Sequence, residues 1–376
     1  MKTYQIGIVG YGGFGKFLHH WWNTLATVKV AAASDGRFED ELTGEFRKYN
    51  KWEDLIADDD LDIVSIATPP AFHVKIACAA MRSGKHVLLE KPVAITVKEA
   101  ETLRQVQHET GKVIMVDHML RYNPIIKALI KLSKEETFGK LRHAIVSNYA
   151  QDESLPAEHW FWDKEVSGGI FIEHGVHFFD IINALTDQKF TKVYGASHGR
   201  NEQQVDQVSA MVLYNEGLIA SHYHSFSGPG FFEETTIRLM YDLAKVEIKG
   251  WIPMSGSIKV LANAATREKL NHIPGLKIIN AEQISGLVDV SRPEGWGDTS
   301  ATDNVSIKAG GLDYQADEMI SAEFEITQSK SEIYGHCLKS IIYDLITKIE
   351  NPSHQLNVTL DDAIESLKIA ELAEKQ

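Results

Sequence analysis

The tightest constraint on this chain is its first glycine turn, Gly10-Tyr11-Gly12-Gly13-Phe14-Gly15, set between an apolar run from Tyr4 to Val9 and a helical stretch from Lys16 to Leu25. Alone, glycines at this spacing mark many kinds of turn. Between a strand and a helix they carry separate duties. Gly10 allows the tight turn, Gly12 lets a pyrophosphate approach the backbone, and Gly15 lets helix pack closely on strand, with Gly13 and Phe14 completing the cofactor-facing loop. A second strand, Val28 to Ala33, runs on to Asp35. That carboxylate lies about twenty residues past the last glycine, where it can accept hydrogen bonds from an adenosine ribose. An acid there favours NAD, because the 2′-phosphate of NADP would meet a like charge; Arg37, two residues on, leaves NADP possible.

Strand and helix patterns then alternate. Leu61 to Ala67 is a strand closing on Thr68-Pro69-Pro70, a rigid stop at the sheet edge where Thr68 and Pro69 are expected to border the cofactor. His73 to Ser83 reads as a helix, and His73 at its start either touches the cofactor's phosphates or simply occupies the first turn. Val87 to Leu89 is a buried strand ending in Glu90-Lys91-Pro92, followed by a helix from Thr96 to Glu109 and a strand from Val113 to Val116. This order predicts a doubly wound parallel sheet. It delivers Lys91 to the carboxyl edge, on the nicotinamide side, while Glu90 either orients Lys91 or faces the cofactor.

Composition narrows the partners. A net charge of −14 with no lysine- or arginine-rich run disfavours nucleic acid. No apolar run approaches the roughly 20 residues needed to cross a bilayer, so no membrane partner is expected. The strand at Tyr4 leaves no room for a leader, and Cys78 and Cys337 lack metal-ligand spacing and read as reduced, buried thiols. A cytoplasmic location follows as the expectation.

His118 to Pro124 interrupts the strand pattern and places a domain boundary there: 1–122 for the dinucleotide-binding domain and 123–376 for a substrate-binding and oligomerisation domain, with the last helices free to pack back on the first. Arg121 in this stretch faces either the substrate or an acid. Beyond it, Trp160-Phe161-Trp162 is an aromatic wall in which Trp162 is the candidate to stack on a sugar or floor the nicotinamide. Ile170 to Leu185 reads as one helix, on which Glu173 and His177 are four apart and share a face, with Asp180 a turn further. Gly175 inside it costs roughly 1 kcal/mol relative to alanine, which suggests a close approach to its backbone. Val205 to Leu213 and Leu218 to Phe226 form a hairpin; His222 and His224 share a strand face without a clear third ligand, so no metal is expected. Ala281 to Gly311, with Trp296, is a long polar excursion, and two helices, Glu332 to Glu350 and Leu360 to Glu374, close the chain with Thr359 as an N-cap.

Four stretches taken together, the glycine turn, Ala67 to His73, Gly84 to Pro92 and Gly168 to His177, resemble the Gfo/Idh/MocA oxidoreductases. The resemblance implies an α/β protein: an N-terminal Rossmann sheet, then an α+β domain with a large, mostly antiparallel open sheet whose face makes a homodimer or homotetramer. It implies NAD(P)-dependent oxidation or reduction at a secondary alcohol of a sugar, sugar derivative or cyclitol. Lys91 would meet nicotinamide and substrate, and His177 would be the catalytic histidine. Many relatives carry Asp where this chain has Glu173. Histidine can accept a hydroxyl proton at neutral pH, Lys91 can stabilise the developing alkoxide, and Glu173 or Asp180 would orient the imidazole, leaving His174 for substrate contact. An NAD-retaining glycosidase and a non-catalytic nucleotide-binding regulator are the alternatives.

Overall fold

The computed structural model describes residues 2–38, 46–152, 155–284 and 306–375. Its first sheet comprises β1 (Tyr4–Val9), β2 (Val28–Ser34), β3 (Arg47–Tyr49), β4 (Ile63–Ile66), β5 (His86–Leu89) and β6 (Ile114–Val116), interleaved with helices α1 (Gly13–Trp22), α2 (Trp52–Ile56), α3 (His73–Arg82) and α4 (Val97–Thr110). The strand order is β3-β2-β1-β4-β5-β6, parallel throughout. Such strands are covered on both faces and need continuous apolar runs, which is why every residue of β4 and β6 is buried. The order reverses between β1 and β4, and that switch point opens the crevice in which ligands bind.

Asn123 ends this unit and caps α5 (Pro124–Lys134): its Oδ1 accepts from the backbone of Ile125 and Ile126, and its Nδ2 donates to the Pro253 carbonyl. β7 (Leu141–Gln151), α6 (Lys164–Ser167), α7 (Val176–Ala184), β8 (Phe190–Gly199), β9 (Val205–Tyr214), β10 (Ile219–Gly228), β11 (Glu234–Tyr241), β12 (Ala244–Lys249), β13 (Ser255–Ala262), α8 (Ala264–Leu270), β14 (Leu276–Gln283) and β17 (Glu318–Glu325) follow, with a small ribbon of β15 (Ser306–Ala309) and β16 (Leu312–Gln315) before β17. The nine-stranded sheet runs β14-β17-β13-β12-β11-β7-β10-β9-β8; only β7 and β10 are parallel neighbours among the described strands. One face packs on α7. On the other, register sets exposed Tyr194 opposite Met211 and Ile219 diagonal to Met211, while exposed Tyr149 lies further along the sheet, opposite Ser225.

α9 (Lys330–Glu350) and α10 (Leu360–Glu374) return to the first sheet. The Trp22 indole donates to the Leu338 carbonyl at 3.0 Å, and Arg104 of α4 pairs with Asp361 of α10. The Thr359 cap expected from sequence is present as a reciprocal box with Asp362. Two expectations change. The helix from Ile170 to Leu185 is a wide π-helical turn, Phe171–Gly175, leading into α7. The excursion from Ala281 to Gly311 is β14 at one end and β15 at the other, while its centre, with Trp296, lies outside the described residues. No helix among the described residues is long and apolar enough to cross a membrane.

The edge strand β8 lies hard against α10: a Cβ built on Gly195 would stand 1.9 Å from the Ala373 carbonyl oxygen. Backbone cannot yield there as a side chain would. Gly195→Ala is expected to cost about 1–3 kcal/mol, read as a lower urea midpoint with an unchanged slope.

Candidate active site

The glycine turn is built as a cradle. Gly10 adopts φ +92°, and a Cβ there would sit 2.4 Å from the Ala67 carbonyl; on Gly15 it would sit 2.1 Å from the Gly10 carbonyl, so α1 rests directly on the turn. A Cβ built on Gly13 would meet nothing within 4 Å, so that side of the first turn of α1 is open to an anion. Asp35 stands at the end of β2. Its Oδ1 accepts from Arg37 N and Nε, and its Oδ2 from Tyr11 N and Arg37 Nη2, at 2.9–3.1 Å. The Arg37 guanidinium is the main reason its carboxyl lies below the usual range. Arg37 also comes within 3.2 Å of where a Gly12 Cβ would be, so it overhangs the turn. These residues fit a dinucleotide: an open helix start for the pyrophosphate, an acid for the ribose, and a mobile-length guanidinium beside both.

Across the switch point, a cavity of about 260 Å³ is lined by Phe14, Thr68, Glu90, Lys91, Asp117, Trp160, Glu173, His177, Trp251 and Tyr334, among others. Lys91 Nζ donates to Glu173 Oε1 at 2.6 Å and to the Glu173 carbonyl at 2.8 Å, tying the edge of the parallel sheet to the π turn. His177, at the start of α7, is 5% exposed and its Nδ1 has no hydrogen-bond partner. The Trp251 ring meets it edge-on at 4.8 Å.

Several expected roles move. Glu173 does not hold the His177 imidazole, because the wide turn carries its carboxylate to Lys91 instead. Neither does Asp180: both its oxygens bond Arg121, at 2.6 and 2.7 Å, in a pair buried to 1% and 8% exposure. Arg121 therefore faces an acid, not the cavity, and also reaches the Asn357 carbonyl and Asp362. Trp162 lies off the cavity, its indole nitrogen donating to the Leu155 and Pro156 carbonyls while Arg200 covers its ring; Trp160 lines the cavity. His174 stacks on Trp251 at 5.1 Å and is not in the lining. Pro69 yields its place to Pro70, and Thr68 lines the cavity with its Oγ1 unpartnered. His73 bridges two loops, Nδ1 2.7 Å from the Pro92 carbonyl and Nε2 2.8 Å from that of Thr68, a structural staple. The close approach at Gly175 is the Phe179 ring. Asp117, Trp251 and Tyr334 were not read from the sequence. Asp117 had a positional signal, following a strand at the carboxyl edge; the other two arrive from distant segments with no local motif.

The histidines form a cluster in which His118, His177, His222 and His224 are buried. His174 touches His177 and His224, His224 neighbours His222, and His118 faces His177 across 6.3 Å. Burial is the main cause that pushes all of them down, His174 to about 3, with Lys91 lowering His177 further. His73 falls to about 4 for the same reason. In the unfolded chain these imidazoles bind protons near pH 6.5, and in the folded one they do not, so stability present above that pH is lost below it. The melting temperature should fall steadily as pH is lowered from about 7 to about 4.5, each such histidine contributing about 1.4 kcal/mol per pH unit. A melting curve flat over that window by scanning fluorimetry would contradict this account.

Fold and cavity together define a nicotinamide-dependent type of oxidoreductase scaffold: a Rossmann sheet that carries Lys91 at its edge, facing His177 on α7. Residues 4–118 match the family described as oxidoreductase family, NAD-binding Rossmann fold, and residues 126–242 match the GFO/IDH/MocA C-terminal domain. The chain belongs to the Gfo/Idh/MocA oxidoreductases. Among curated relatives, levoglucosan dehydrogenase of Pseudarthrobacter phenanthrenivorans is 27% identical over 50% of this chain and 52% of its own. Inositol 2-dehydrogenase of Salmonella typhimurium is 33% identical over 32% of this chain and 38% of its own. The chain thus spans about half the length of the curated relatives it matches. A solved oxidoreductase domain protein of Kribbella flavida superposes with TM-score 0.75 at 18% identity, covering 100% of this chain and 97% of its own. A scyllo-inositol dehydrogenase of Lactobacillus casei does so with TM-score 0.66 at 18% identity, covering 100% and 96%. At that identity the likeness is one of fold.

Proposed function

We propose that the protein is an NAD(P)-dependent dehydrogenase acting on a secondary alcohol of a sugar, sugar derivative or cyclitol. The observation that carries this reading is the meeting of the Lys91–Glu173 pair and His177 in one cavity at the carboxyl edge of a dinucleotide-type sheet. A bound nicotinamide supplies the hydride acceptor. His177, kept neutral by burial and by Lys91, takes the hydroxyl proton as the carbinol C–H gives up its hydride and the C=O bond forms. Lys91, held in place by Glu173, donates to the same oxygen as charge develops on it. Trp160 and Trp251 offer indole surface to the apolar face of a ring. NAD is favoured by Asp35, and Arg37, whose side chain is 79% exposed, gives NADP a counter-charge.

Purified protein with NAD or NADP and a panel of polyols should show absorbance growth from reduced nicotinamide. Lys91→Ala and His177→Ala should each lower turnover by about 10²–10⁴-fold; full activity in both would remove these assignments.

We further place the domain boundary at 122/123, assign the protein to the cytoplasm, and propose a homo-oligomer through the open sheet face that carries Tyr149, Tyr194, Met211 and Ile219. A monomer mass by light scattering would exclude that assembly.

A further inference from the structure

Two acids stand beside the reacting groups with no part in the mechanism above. Glu90 follows β5, Asp117 follows β6, and both line the cavity with Lys91, Glu173 and His177. Asp117 is 1% exposed, and no side-chain N–H donor reaches either of its carboxylate oxygens. Register sets the two acids side by side: Leu89 pairs with Val116 just before them, and Asp117 N donates to the Leu89 carbonyl at 2.7 Å. Neighbouring carboxyl groups with no cation between them do not readily ionise together. Burial, and then Asp117, push Glu90 well above the carboxylate range, while burial raises Asp117 to about 6. Near neutral pH the pair therefore shares one proton, held on Glu90, and carries one negative charge, on Asp117.

Lys91 acts on both acids but is itself bonded to Glu173, so the lining keeps a net negative charge. Tyr122, and from α9 Tyr334 and Cys337, face the acids, and burial raises all three so that they stay neutral. His177 is neutral across the cavity. The adenosine end of a dinucleotide belongs at Asp35 on β2, so its nicotinamide end falls on the other side of β1, the side on which Glu90 and Asp117 stand.

Resting on the NAD(P) reading, we propose that the Glu90–Asp117 pair is a redox-state selector: its single negative charge favours the cationic, oxidised nicotinamide over the neutral, reduced one, and so biases the bound equilibrium toward carbonyl reduction. In a low-dielectric cavity one unit charge a few ångströms away is worth far more than in water. Two acids side by side cost less singly ionised than doubly ionised, so one charge persists.

The test is binding without substrate. NAD⁺ and NADH are titrated into the full chain by calorimetry, with NADP⁺ and NADPH in parallel. Asp117→Asn should lower the preference for the oxidised form by about tenfold. Glu90→Gln, which keeps a neutral donor opposite Asp117, should leave the preference in place. In the unaltered protein the preference should weaken from about pH 8 to about pH 5.5 as Asp117 takes up a proton, a reading that needs no variant to fold. Binding with a ratio unmoved by Asp117→Asn and by pH overturns the selector alone. Binding of neither redox form of either cofactor overturns both the selector and the NAD(P) reading.

Discussion

The buried Arg121–Asp180 pair is the interaction on which the placement of this site depends. Arg121 leaves the end of the first sheet's last turn and takes Asp180 of α7 with two bonds, while its remaining nitrogen reaches the Asn357 carbonyl and Asp362 at the start of α10. Three segments that are far apart in sequence thereby share one guanidinium. A buried charge of this kind is costly alone and tolerable only when its donors are met, so the arrangement admits little variation in the docking of α7. His177 lies three residues from Asp180 on the same helix. The position of the imidazole relative to Lys91 is in this sense set by a pair that does not touch the cavity.

With α7 fixed, the turn before it determines the chemistry. A regular helix through Glu173 would have put its carboxylate beside His177, one turn on. The π turn instead lets Glu173 reach Lys91 with both its side chain and its carbonyl. The division of labour that follows is different from an acid–histidine dyad: the acid steadies the cation, and the imidazole is oriented by apolar rings, chiefly Trp251. Substituting Asp at 173 would shorten that reach by one methylene, which gives the longer acid in this chain a physical reason.

What could be read from sequence divides along the same line. The first sheet was legible because its signals are local: apolar runs of strand length, glycines at fixed offsets, and an acid about twenty residues on. The place of Lys91 at the carboxyl edge followed from strand position, and its expected role from the family resemblance. The Thr359 cap and the closing helix were legible for the same reason. Trp251 was not, because it enters from a loop after β12 and owes its place to the pairing of a nine-stranded sheet. The edge strand β8 was missed because it is largely exposed and lacks the alternation that marks β9 and β10. Glu173 and Asp180 were picked out correctly as an acidic cluster near His177, and misassigned because helical spacing was assumed where the backbone widens.

The electrostatics of the cavity and of the histidine cluster act on different halves of the reaction. His177 is pushed down by burial and by Lys91, so in the proposed reaction its protonated form is the costly one. At neutral pH the imidazole therefore rests in the unprotonated form that taking up a hydroxyl proton requires, and its low basicity makes that proton easy to pass on. In the proposed selector, the charge of the Glu90–Asp117 pair favours the oxidised nicotinamide over the reduced one. The two halves of the reaction are thus set by different segments: the head of α7 keeps the imidazole in its proton-accepting form, and in the proposed selector the end of β6 sets the balance between the two redox forms of the nicotinamide.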